Sequence, residues 1–88
     1  MPNSSARQFR ETESKEDLAH LLEKYMHLSI RRRRRHCRNL YNAFLTRTKN
    51  DKIEGIDDIK CAQELATALD DTNNWCEHVR NIVESLRP

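Results

Sequence analysis

Apolar residues recur along most of this chain at helical spacing. After Ser14, residues Leu18, Leu21, Leu22, Tyr25 and Met26 fall at i, i+3, i+4, i+7 and i+8, one face of an α-helix. The same phase returns in His36, Cys37, Leu40, Tyr41, Phe44 and Leu45. Ile59, Ala62, Leu65, Ala66 and Leu69 give a third face, and Trp75, Val79, Ile82, Val83 and Leu86 a fourth. β-branched and aromatic residues never alternate over a useful length, so no strand competes. The pattern predicts an all-α fold, a small bundle of three to four helices.

Polar positions mark the boundaries. Ser14 is placed to cap the first helix, and Glu16 and Asp17 follow in its first turn, where the positive end of the helix dipole favours carboxylates. Asp57 or Asp58 opens the third helix after Gly55, the one glycine, and Asp70 to Asn74 form a turn with a ready N-cap for the last. Thr48 to Lys52 read as a polar linker. Leu28-Ser29-Ile30 holds no strong breaker. One helix over residues 15–48 would keep the phase, but such a length calls for pairing as a dimer through the basic segment; two helices with a break near 27–30 are favoured. Residues 1–13 are polar and aperiodic, and read as a flexible N-terminal arm before a single helical domain at 14–88. Phe9 is the arm's only large apolar residue, expected to dock on the body or on a partner. With 88 residues the buried surface is small and the stability margin narrow, which favours a homodimer.

Charge changes the picture. The net value is only +2, but residues 24–49 carry Lys24, Arg31 to Arg35, Arg38, Arg47 and Lys49 and no acid at all. Residues 51–88 carry four positive and nine negative charges, net −5. Such asymmetry points to a polyanion-facing surface on an otherwise acidic domain. Five consecutive arginines cover more than a full turn, so not all face one way. Arg31, Arg34 or Arg35, and Arg38 point away from the apolar face, and Asn42, Thr46, Arg47 and Lys49 extend the stripe. Guanidinium forks bind phosphate oxygens in pairs of charge-assisted bonds. The candidate nucleic-acid contacts are therefore Arg31, Arg32, Arg34, Arg35, Arg38, Arg47 and Lys49.

The type of nucleic acid follows by exclusion. A DNA-reading helix-turn-helix needs a recognition helix after its turn, whereas here the arginines precede Gly55 and the helix after it is acidic. No strands, GXXG loop or aromatic platform is present, since Tyr25, Tyr41, Phe44 and Trp75 all lie on core faces. What remains is backbone recognition by shape and charge, with duplex RNA favoured over DNA. The rival reading is an α-helical adaptor whose arginines dock an acidic protein or serve as a nuclear import signal. A third is an internal charge match, in which the acidic helices neutralise the run within the fold.

Catalysis and metal chemistry find little footing. His36, Cys37, Cys61, Cys76 and His78 lack the paired spacing of a zinc site. No orienting group or oxyanion turn accompanies a Cys–His pair, and Asp57-Asp58 and Asp70-Asp71 are explained by capping. A binding protein without cofactor is expected rather than an enzyme. Three cysteines are too sparse and odd for a disulfide scaffold. No apolar run is long enough to cross a membrane, and no signal-peptide core is found, which predicts a nuclear or cytoplasmic protein with no membrane partner.

Overall fold

The computed structural model describes residues 4–47 and 52–87. Among these the structure is all-helical: α1 (Ser4–Glu11), α2 (Lys15–Tyr25), α3 (Ile30–Leu45), α4 (Asp58–Leu69) and α5 (Trp75–Leu86), with a 3₁₀ turn at Thr72–Asn74. The caps expected for α2 and α4 are in place, whereas the N-cap of α5, Asn74, makes no side-chain cap bond. The Ser14 hydroxyl accepts from the Asp17 N–H at 3.1 Å, and the Asp57 carboxylate from the Lys60 N–H at 3.0 Å. Gly55 turns the chain into α4 with φ of 85°, a left-handed value that other residues adopt only under strain.

The apolar phase runs on across Met26–Ser29, yet the helix stops there, as the favoured reading expected. The reason is tertiary. A helix end leaves carbonyls without intrahelical partners. Here the Tyr25 carbonyl accepts from Trp75 Nε1–H at 2.6 Å and the Met26 carbonyl from the Cys76 thiol at 3.0 Å. Arg33 then ties the break to the 3₁₀ turn, donating through Nε to Leu28 O at 3.0 Å and through Nη1 to Thr72 O at 3.1 Å. The start of α5 thus supplies the donors that let α2 end.

The helices enclose one core. α3 packs chiefly on α4, α2 on α5, and α1 crosses α3. Phe9, Leu18, Leu22, Leu40, Leu65, Trp75 and Val79 are fully buried, and Phe44 nearly so. Several particulars differ from expectation. Within the stretch 1–13, α1 forms over Ser4–Glu11, and Phe9 docks on the body, one of the two places expected for it, its ring edge-to-face on Phe44 with centroids 4.5 Å apart. One aromatic anchor on a polar helix carries no periodicity, so the pattern was silent. α1 also takes the helix number past the three to four expected. The face of α4 is rotated as well. Cys61, Ala62, Leu65 and Ala68 are buried, whereas Ile59 is 66% exposed and Ala66 and Leu69 are only half-buried. Small residues let α4 approach α3 closely enough for the Cys37 thiol to donate to Leu65 O at 3.1 Å. Leu45, expected in the core, is 51% exposed, and Ala43 takes an inner position.

Candidate nucleic-acid interface

α3 begins unlike its neighbours. α2 carries Glu16 and Asp17 in its first turn and α4 carries Asp58, but α3 has no acid there and no side-chain bond from its N-cap, Ser29. Arg31, Arg32 and Arg33 occupy that turn instead, setting cations against the positive end of the helix dipole.

The core contacts of Cys37, Leu40 and Phe44 fix how α3 is rotated, and hence which arginines face outward. Arg31, Arg32, Arg34, Arg35 and Arg38 are exposed, and none of the five forms an ion pair among the described residues. Arg31, Arg35 and Arg38 stand nearly in line over about 10 Å of helix, with Arg32 and Arg34 to either side. An open recess of ≈ 310 Å³ at the start of the helix is lined by Ser29, Arg31, Arg32, Arg35 and His36. Among the described residues, the internal charge match therefore does not take the form of ion pairs. The single arginine of the run that turns inward, Arg33, bonds to carbonyl oxygens and to no carboxylate.

Of the expected contacts, Arg47 is not on this face. Lys49 lies outside the described residues. Arg47 is withdrawn into the fold, its side chain only 3% exposed. Its Nε stands 3.7 Å from Asp58 Oδ1, and its guanidinium carbon lies 4.3 Å from the centre of the Phe9 ring. Burial raises the Asp58 pKa and Arg47 partly offsets that rise. Arg47 was assigned to the stripe by extrapolating helix phase past Leu45. In fact α3 ends there, and the chain turns so that Arg47 meets α1 and α4.

His36 escaped the sequence reading as part of the surface. It lies one turn beyond Arg32, in the arginine recess, with its ring stacked on Tyr25 at 5.5 Å. The spacing from Arg32 was a usable signal. His78 had no such signal. It is buried between α4 and the 3₁₀ turn, with Nδ1 2.6 Å from Glu64 Oε2 and Nε2 3.2 Å from Asp71 Oδ2. Burial works against its charged form, but the bonds to Glu64 and Asp71 prevail and raise its pKa.

Cys37 and Cys61 are buried in the core. Burial pushes the Cys37 thiol up to about 11 and the Cys61 thiol to about 12, where little thiolate forms at neutral pH. No cluster of three or more His, Cys, Asp or Glu side chains suited to a metal ion occurs among the described residues. No helix among them is long and apolar enough to cross a membrane. Comparison of the chain with protein-family models, curated proteins and solved structures finds no match.

Proposed function

We propose that this is a nucleic-acid-binding protein that grips the phosphates of a duplex, RNA in preference to DNA, through Arg31, Arg32, Arg34, Arg35 and Arg38. It acts by binding and not by catalysis. The observation that carries the reading is five exposed arginines on one helix with no carboxylate partner. Each fork suits two phosphate oxygens, and release of condensed counterions supplies the affinity. Phe9, Phe44 and Trp75 are buried and Tyr25 and Tyr41 half-buried, so bases have no aromatic surface to stack on. Recognition then rests on the backbone, and the shape of an A-form duplex is the feature such a helix reads. The exposed Ile30, Leu45 and Ile59 and the small core support action as a homodimer, in nucleus or cytoplasm.

A mobility-shift panel of single- and double-stranded RNA and DNA tests the reading. Duplex RNA is retarded first, duplex DNA next, irrespective of sequence, and the shift weakens steeply with salt. Retardation of single strands alone, or of nothing, overturns it. One observation favours a second reading. Ile30, Arg34, Arg38 and Leu45 fall along one line of α3, so apolar contacts accompany the cations, as an acidic protein partner would require. That reading predicts no duplex retardation and a loss of partner binding on Ile30→Asp.

A further inference from the structure

The recess at the start of α3 holds a group that the arginine stripe does not account for. Three of its five lining side chains, Arg31, Arg32 and Arg35, are exposed guanidiniums with no ion pair among the described residues. Ser29 sits at the N-cap without using its hydroxyl to cap, which leaves that hydroxyl able to donate to a ligand. His36 forms the remaining wall. Its ring lies at 26° to Tyr25, and its Nδ1 is buried without a hydrogen-bond partner. A concave site with three cations, a hydroxyl and an imidazole has the chemistry of a tetrahedral oxyanion site.

We propose that this recess is the principal phosphate subsite of the interface, and that His36 takes up a proton when a phosphodiester occupies it, so that duplex binding tightens as pH falls. The inference rests on the reading of the stripe as a duplex interface. The groups facing His36 are Arg32 and Arg35 from α3 and Tyr25 from α2, whose phenol donates to Gln8 on α1 at 2.6 Å. No carboxylate pairs with His36 among the described residues. In the free protein, burial and the two guanidiniums hold the imidazole below its usual 6.5, so it is neutral at pH 7. A phosphate seated between the guanidiniums cancels their repulsion and attracts the imidazolium directly. The proton comes from solvent, because a phosphodiester does not itself titrate near neutrality. Whatever rise binding causes in the pKa of His36 is returned as affinity, about tenfold per unit.

The test combines two readouts on the full chain. Dissociation constants for one RNA duplex at pH 5.5 and pH 8, at fixed ionic strength, are expected to differ by about tenfold in the parent. In His36→Gln they are expected to differ by less than about twofold, whatever its absolute affinity. Arg35→Gln removes part of the repulsion and gives an intermediate difference, which guards against misfolding of the histidine variant. The second readout follows the His36 ring proton by NMR while pH is varied, with no ligand, with sulfate and with the duplex. Sulfate is a tetrahedral oxyanion that does not titrate in this range. Both ligands are expected to raise the pKa of His36. A duplex that binds without moving it leaves the stripe in place and overturns the subsite. A rise with sulfate and no duplex binding upholds the oxyanion site and removes the duplex reading. No rise with either ligand, or a full pH effect retained in His36→Gln, overturns the inference.

Discussion

α2 and α3 are consecutive and nearly share a helical phase, yet they treat charge in opposite ways. α2 opens on a capping serine and two acids, and two of its three carboxylates are paired: Glu16 and Glu23 receive Arg87 from the end of α5, each at 2.8 Å. The same pairing governs the other side of the fold, where His78 joins Glu64 and Asp71. α3 opens on arginines, with no cap bond and no acid. Like charges one turn apart cost about 0.2–0.5 kcal/mol per pair, and cations at a helix start about as much again. Within the described fold no ion pair offsets that cost. The carboxylates Glu16, Glu23, Glu64 and Asp71 are matched within the fold, and the exposed cations of α3 form no ion pair among the described residues.

The sharpest way to break the contrast is to delete charge from each class. Arg34→Gln with Arg35→Gln removes two unpaired cations while keeping length and helix propensity. Duplex affinity is expected to fall by about ten- to a hundredfold and the log–log salt slope to flatten by about two, nearly equally for all sequences. Stability in urea is expected to stay within about 0.5 kcal/mol of the parent, or to rise. Arg47→Ala is the counterpart. It removes a cation buried between Phe9 and Asp58, so stability is expected to drop by about 2–3 kcal/mol while the folded variant keeps the parent's salt slope. If the double substitution unfolds the protein and leaves affinity intact, the stripe serves the structure and the contrast fails.

The two half-buried or buried histidines give a smaller effect of opposite sign. His78 holds its proton more tightly folded than unfolded, so its stabilisation is complete below pH 6.5 and fades as pH rises through its raised folded value. His36 is depressed, so the folded state loses stability as pH falls from 6.5 towards its folded value. His78→Ala leaves Glu64 and Asp71 facing each other without the bridge, and a loss of about 1–2 kcal/mol near pH 6 is expected. The variant is also expected to lose the decline in stability between pH 6.5 and 8. His36→Gln is expected to lose the decline on the acid side. Urea midpoints measured from pH 5 to 8 check both, and a profile unchanged by either substitution contradicts the pairing seen here.

How much of this was legible in the chain depends on whether the signal was local. The caps Ser14 and Asp57 and the faces of α2 and α5 follow from residues within two turns of one another, whereas the break after Met26, expected from helix length, is made by Trp75 and Cys76 from far along the chain. The outward set Arg31, Arg34, Arg35 and Arg38 was equally readable, because Cys37, Leu40 and Phe44 fix the rotation of α3. The errors came where a partner from afar decides. Ile59 looked like core by size, but α4 is rotated so that Cys61, Ala62, Leu65 and Ala68 are the buried residues. Arg47 looked like stripe by phase, but α1 and α4 capture it. The docking of Phe9 was expected, but the helix that carries it has no second large apolar residue to announce it. The clasp of His78 joins residues that only folding brings together.

The smallest expected effect probes the start of α3 itself. Ser29 has the extended backbone of a capping residue, φ −63° and ψ 157°, but no cap bond. Ser29→Asp would place a carboxylate against the free N–H groups and beside the first-turn arginines. Both interactions stabilise the helix, together by about 0.5–1 kcal/mol, which for a chain of this size raises Tm by roughly 2–6 °C. The same carboxylate would stand at the mouth of the arginine recess and repel a phosphate there, so duplex affinity should fall severalfold at low salt and less at high salt. A gain in Tm joined to a loss of binding is the outcome expected if the start of α3 gives up stability for a ligand. A variant that melts lower than the parent would mean that a carboxylate at this position does not relieve the helix end, and that the contrast with α2 reflects sequence alone.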